Sequence, residues 1–317
     1  MMTLDQFDAF LYKTQNRAFE ETRDKIDKVY EKYTKPGNTK KADYRSVTAA
    51  RLGPAGFTSY GGQVHTDEYE PGTERVTKYK KFTIAVVTAE ELMADMFNGG
   101  RIDDDQIELF ANMTKDFADS MTWTCEIITS DFQLRGTSTT ATNTWPGAGR
   151  DGLALFSTSH VTTKGTPVTW SNRPTAAAMN QLTLMEGVTM LENTPDETGR
   201  PLGVVRRIGI VHGRYWEWRV PELLKSVSKP DSDHNNPNTL RLRDIEWVSI
   251  LNPYLGSTTT SWKTIDLDNH ELLRFMKMKP KYTKDVDVYT GNQINKATMR
   301  YAIDFDSAKG VVLNDGI

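Results

Sequence analysis

Apolar residues recur at steps near three, four or seven from Leu4 to Tyr33, at Leu4, Phe7, Leu11, Phe19, Ile26, Val29, Tyr30 and Tyr33, with charged residues between them. That spacing predicts an interrupted amphipathic helix, ended by Pro36-Gly37. Lys35 to Arg51 is polar, basic and poor in large aliphatics, the pattern of an extended arm. A glycine-rich stretch, Leu52 to Gly62, leads into Gln63 to Val87, whose alternation predicts two strands about the turn Glu70-Pro71-Gly72-Thr73. Val76, Lys78, Lys80, Phe82, Ile84 and Val86 make the second strand the clearer one. An isolated two-stranded hairpin is marginal, so it needs a partner surface.

Thr88-Ala89-Glu90-Glu91 reads as an N-cap followed by acids in the first turn of a short helix. Past Gly99-Gly100 comes the longest regular pattern, with Ile107, Phe110, Met113, Phe117, Met121, Cys125, Ile128 and Phe132 on one stripe and Asp103-Asp104-Asp105 at its positive end. About 30 helical residues at 1.5 Å each give a rod of about 45 Å, longer than a compact enzyme core usually requires. Gly136 to Gly149 is a loop by composition, and Leu153 to Phe156 reads as a buried strand behind the turn Asp151-Gly152. Further on, the patterns predict a helix over 175–191, a strand over 204–211, helical spacing over 216–225 and a strand over 245–251. Three short strands, 272–278, 285–289 and 298–305, close the chain.

At 317 residues and 38% hydrophobic content, the chain can bury a sizeable core. A formal net charge of −3 carries no overall signature of a nucleic-acid binder, so any DNA affinity must be local. The basic run from Lys28 to Arg51 is the local candidate, weakened by its interleaved acids. A single cysteine, Cys125, excludes an intramolecular disulfide framework and fits a reducing compartment. No apolar run reaches the roughly 20 residues of a membrane span, and the first residues lack a secretory pattern.

Candidate chemistry is sparse. His65, His160, His212, His234 and His270 are widely separated and specify no metal face. Asp231 to Asn236 starts like a calcium loop but lacks the glycine at the sixth place, and Leu242 stands where the bidentate glutamate belongs. No glycine-rich phosphate loop is present. Ser157 and Ser159 beside His160 lack a nucleophile elbow, and Cys125 on the apolar stripe reads as a small buried hydrophobe. The sequence thus assigns no catalytic, cofactor-binding or metal residue.

The stretch Asp151-Gly152-Leu153-Ala154-Leu155-Phe156-Ser157-Thr158-Ser159-His160 resembles the DG-x-x-LF-x-x-x-H stretch of tailed-bacteriophage major capsid proteins of the HK97-like fold, particularly Mu-like major head subunits. Asn252-Pro253-Tyr254-Leu255 with Trp262 resembles the family's exit from its axial domain. Residues 210–224 resemble its strand-to-helix entry, although here the proline, Pro221, comes late. The resemblance implies an α+β subunit in five segments: an N-terminal arm (1–51), an extended loop hairpin (52–87), a peripheral domain with a long spine helix (88–145), an axial domain (146–256) and a return to the peripheral domain (257–317). It also implies a non-enzymatic function, self-assembly through pentamers and hexamers into the icosahedral virion shell around the phage genome. Assembly would take place in the host cytoplasm, without a membrane or cofactor, and with scaffolding, portal and decoration proteins and packaged DNA as further partners. Phe7, Phe10 and Phe19 of the arm and Tyr69, Pro71 and Tyr79 of the hairpin are expected at subunit contacts, and His234 near a symmetry axis. A tail-tube or connector protein is the runner-up, disfavoured by the spine helix, and an uncharacterised hydrolase comes third.

Overall fold

A computed structural model of the chain describes residues 4–38, 40–49, 52, 55–60, 62–64, 66–67, 71–91, 104–162, 167–230 and 236–317. The two long helical patterns form as expected. Helix α1 spans Leu4–Lys25 and helix α2 spans Asp104–Leu134, about 46 Å of rod. They pack on each other and on a sheet, with Phe19, Phe117, Met121, Cys125, Ile128 and Phe132 buried along the seam. Tyr282 lies at the meeting point, its ring 6.0 Å from Tyr12, 6.1 Å from Phe19 and 6.2 Å from Phe117. A turn of 3-10 helix at 29–32 follows α1, and Glu126 of α2 accepts the backbone N–H groups of Val29 and Tyr30, at 2.7 and 3.1 Å. A short helix begins at Glu90, and its continuation lies outside the described residues.

The sheet under α2 has the order β1-β10-β11-β4, formed by Lys35–Pro36, Leu272–Val286, Gln293–Phe305 and Lys80–Thr88. The three short terminal strands expected from alternation are two long ones, β10 and β11, joined by a turn at 287–292 in which Asp287 accepts from Tyr289 N and Thr290 Oγ1. Register shifts between Met276 and Lys281 interrupt the period of two, which split the pattern in the sequence. The second sheet has the order β12-β9-β7-β8, from Val311–Asn314, Trp262–Asp266, Arg207–His212 and Glu246–Leu251. The boundary expected at residue 256 therefore falls between two strands of one sheet. Helix α3 (Gln181–Asn193) packs on β9 and β12, capped by Asn180 and Thr183 in a reciprocal box. Helix α4 (Arg219–Lys225) packs on β8 and on α5 (Thr239–Leu242).

Two expectations change. The hairpin does not turn at residues 70–73. Strand β3 (Pro71–Lys78) pairs with β2 (Asp43–Ala49), Asp43 opposite Lys78 and Val47 opposite Glu74, so its first arm comes from the segment read as an extended arm. One face of the ribbon is exposed and the other is covered through polar side chains, Tyr44, Ser46, Arg75 and Thr77, so no apolar alternation marks its register in sequence. The run from Val76 to Val86 is likewise broken at Tyr79, where the chain passes from β3 into β4.

The other change is at Leu153–Phe156, which is not a strand, with Leu153 half-buried and Ala154 to Phe156 buried. Gly152 has a φ of +75°, Asp151 Oδ1 accepts Leu153 N at 3.1 Å, and Phe156 N donates to Gly136 O, so the backbone folds over the end of α2. Among the described residues, the pairs His160–Val161 (β5) and Thr169–Trp170 (β6) form a short ladder there. Local side-chain hydrogen bonds have displaced the strand.

Candidate functional site

Side chains at the end of β11 and beside it fix the root of the β2-β3 hairpin. Arg75 on β3 meets Asp304 at 2.6 Å, with 9% and 3% of their side chains exposed. Its guanidinium also donates to Ala148 O at 2.6 Å and lies 4.6 Å above the Phe305 ring. Thr77 donates to the same Asp304 carboxylate. Asp306 takes Tyr44 Oη at 2.8 Å and Arg150 at 3.0 Å, and Arg150 reaches on to Ser46 on β2. Lys80 Nζ donates to Thr142 O at 2.7 Å. Buried ion pairs fix one geometry, and breaking one leaves a charge stranded in a poor solvent for it. The ribbon is thus held rigidly at one end.

Its other end is apolar and bare. Phe57 and Tyr60, in the loop between β2 and β3, are fully exposed at 97% and 109%, with Leu52 and Val64 beside them in sequence and more than half exposed. Val286, Val288 and Tyr289 are exposed at the β10-β11 turn, next to Ile84, Val86 and Val87 on edge strand β4. Tyr215, Trp218, Val227 and Leu242 are exposed around α4 and α5. Monomeric proteins rarely leave aromatic and aliphatic surface open in three separate places.

Phe19 and Tyr79 are covered by their own chain, Phe19 against Tyr282 and Tyr79 against Phe275. Pro71 is the first residue of β3, and Phe7 and Phe10 lie on α1 with side chains outside the described set. Tyr69 and His234 lie outside the described residues. The bare aromatics Phe57 and Tyr60 went unnoticed in the sequence. The signal available was two aromatic rings in a glycine-rich stretch with no periodic partner.

The titratable groups serve the fold. His160 is buried, bonded through Nδ1 to Asp151 Oδ2 at 2.6 Å and stacked 4.6 Å from the Trp170 ring. Burial opposes ionisation of Asp151, but the bonds from His160 and the Leu153 amide outweigh it and hold its carboxyl below the usual range. The Ser157 and Ser159 hydroxyls face each other at 3.4 Å, and the Asp-His pair closes the 151–160 loop. Burial pushes the Cys125 thiol up to about 12 and drops His270 to about 3. Asn172 ties the same region to β12, bonding Leu155 O, Ala308 O, Ser157 N and Leu313 N. Among the described residues no cluster of histidine, cysteine or carboxylate side chains fits a metal ion, and no helix is long and apolar enough to cross a membrane.

No family model and no curated protein matches the chain. Solved structures do resemble it. The virus-like particle of Pyrococcus furiosus aligns over 95% of this chain and 98% of its own, with a TM-score of 0.51 and 7% identity. The capsid of the native GTA particle aligns over 91% and 90%, with a TM-score of 0.56 and 9% identity. The procapsid of bacteriophage JBD30 aligns over 98% and 75%, with a TM-score of 0.52 and 11% identity. The chain shares their fold.

Proposed function

We propose that this chain, which has the α+β HK97-like fold, is a major capsid protein that self-assembles into the icosahedral shell enclosing a phage genome. One observation carries the reading: a ribbon clamped at its root by buried ion pairs presents bare aromatic residues at its far end, on a fold shared nearly end to end with shell subunits. A rigid lever with an apolar tip is suited to grip a second copy of itself. Heterologous contacts of this kind close into five- and six-membered rings, and binding energy spread over large interfaces takes the place of an active site. The peripheral unit consists of α2 with the β1-β10-β11-β4 sheet, and the axial unit of β7 to β9, β12 and the helices packed on them. Of the contact residues, Pro71 at the start of β3 and the loop residues Phe57 and Tyr60 are the assembly surface. His234 and the neighbouring loop face a symmetry axis. Scaffold, portal, decoration proteins and packaged DNA are the further partners, and the shell forms in the host cytoplasm. Electron microscopy of the expressed protein is the direct test. Closed shells support the reading, whereas stacked tubes or dispersed monomers at assembly concentrations would overturn it.

A further inference from the structure

The sheet beneath α2 has a second face. Met299 and Tyr301 of β11 are fully buried on the helix side, as are Ala297 and Tyr282. Side chains alternate along a strand, so the residues between them point away. Those residues are Arg300, Lys296 and Lys281, joined across the ladder by Lys81, which stands directly opposite Arg300. The β2-β3 root covers only the near end of this face, through Tyr44, Tyr79 and Phe275. The remainder is open. Lys81, Lys281 and Arg300 are exposed and Lys296 is half-buried, and among the described residues none lies within ion-pair distance of a carboxylate. Lys277 donates to the carbonyls of Lys40 and Lys41, at 3.3 and 2.9 Å, which brings two more exposed lysines alongside.

We propose that this open face of the β10-β11-β4 sheet binds the phosphate backbone of double-stranded DNA. Like charges placed directly across a ladder destabilise a sheet unless something neutralises them, and Lys81 opposite Arg300 is such a pair. Lys81 and Arg300 stand about 5 Å apart across the ladder, Lys281 lies diagonal to both Arg300 and Lys296 at about 7–8 Å, and Arg300 and Lys296 are about 13 Å apart along β11, a spread suited to a repeating anion rather than a single carboxylate. Between them lie Thr83, Thr298, Thr283 and Ala85, with Met278 opposite Arg300 and Ile294 and Val87 at the distal end, and no aromatic anchor. Protein interfaces are depleted in lysine and enriched in aromatics, whereas sequence-independent phosphate contact calls for lysine and hydroxyl donors on a flat surface. The one acid on the face, Asp285, sits at its distal end beyond Thr283. A net charge of −3 is no obstacle, because the cations are gathered in one place.

The inference rests on the shell reading for its ligand, packaged DNA, but the two fail separately, since micrographs test particle formation and a DNA titration tests this face. Fluorescence anisotropy with a labelled duplex of about 30 base pairs, spanning several turns for this backbone contact, should be run on the full chain across a salt series. The variant combining Lys81→Gln, Lys281→Gln, Lys296→Gln and Arg300→Gln should bind at least about tenfold more weakly, with the salt slope flattened by about one for each cation removed. A matched variant replacing exposed Lys13, Lys25, Lys115 and Lys225 should bind as the parent does. If the fourfold variant fails to fold by circular dichroism, the pair Lys281→Gln and Lys296→Gln replaces it, with half the effect. Unchanged binding in the face variant, or equal loss in the matched control, overturns the proposal. So does a face variant that loses only polyglutamate binding, because the partner would then be an acidic protein.

Discussion

Two buried charges give the stability of this chain opposite pH slopes on the two sides of neutrality. Glu126 is buried against the 29–32 turn, and loss of hydration raises its pKa from 4.5 to about 7, although the amides of Tyr30 and Val29 pull it back. The native state holds a proton there that the unfolded chain has lost, so this contribution is complete below about 4.5 and disappears as the pH rises through about 7. Lys263, in the middle of β9, behaves in reverse. Burial lowers its pKa from 10.5 to about 7, so its contribution is complete above 10.5 and is lost as the pH falls through about 7. Each is worth on the order of a few kcal/mol. Urea unfolding of Glu126→Gln should show the decline between pH 5 and pH 8 flattened. Lys263→Met should raise the midpoint at pH 7 and flatten the slope above it. An unchanged pH profile in both variants would show that neither group titrates within the fold.

At the scale of elements, the junction between α2 and the 151–160 loop is packed against a missing side chain. A Cβ on Gly136 would stand 2.5 Å from the Phe156 ring and 2.6 Å from the Phe132 carbonyl, which is helix backbone and cannot yield. Gly136→Ala should therefore cost about 1–3 kcal/mol in chemical denaturation, the usual range for overpacking. Gly152→Ala meets nothing within 4 Å and should cost only about 1–2 kcal/mol, for its positive φ. The ribbon root depends on charge instead. Asp304→Ala leaves Arg75 buried without its carboxylate and should cost about 3–5 kcal/mol. Limited proteolysis should then cut between residues 50 and 70 faster than in the parent, and a parent-like digestion rate would remove the clamp from the account.

For the whole molecule, folding and assembly should be separable. Joining Ala49 to Pro71 through a short Gly-Ser turn keeps every paired residue of β2 and β3 and deletes Phe57 and Tyr60. The shortened chain should unfold at a denaturant concentration close to that of the parent yet sediment as small species where the parent forms particles. Normal particles from it would move the assembly surface elsewhere. Legibility followed the same division. The spine helix could be read to within a few residues, because Ile107 to Phe132 bury a single stripe with a period near 3.6. The partner of β3 could not be read, because Asp43–Ala49 has polar residues on both faces and its register is set by Arg75, Thr77 and Tyr44 reaching acids more than 220 residues away.

The sequence by itself determined the elements that bury one face: both long helices, the strands over 204–211 and 245–251, and the order of motifs that pointed to a shell subunit. Only the tertiary structure decided what depends on distant residues meeting. It turned Leu153–Phe156 from a strand into a buried loop held by Gly136 and Asn172, and it carried β9 and β12 back into the second sheet. It also gathered Lys81, Lys281, Lys296 and Arg300, scattered along the chain, onto one open face. Periodicity records a residue's neighbours along the chain, whereas charge pairing, register and exposed surface depend on neighbours in space.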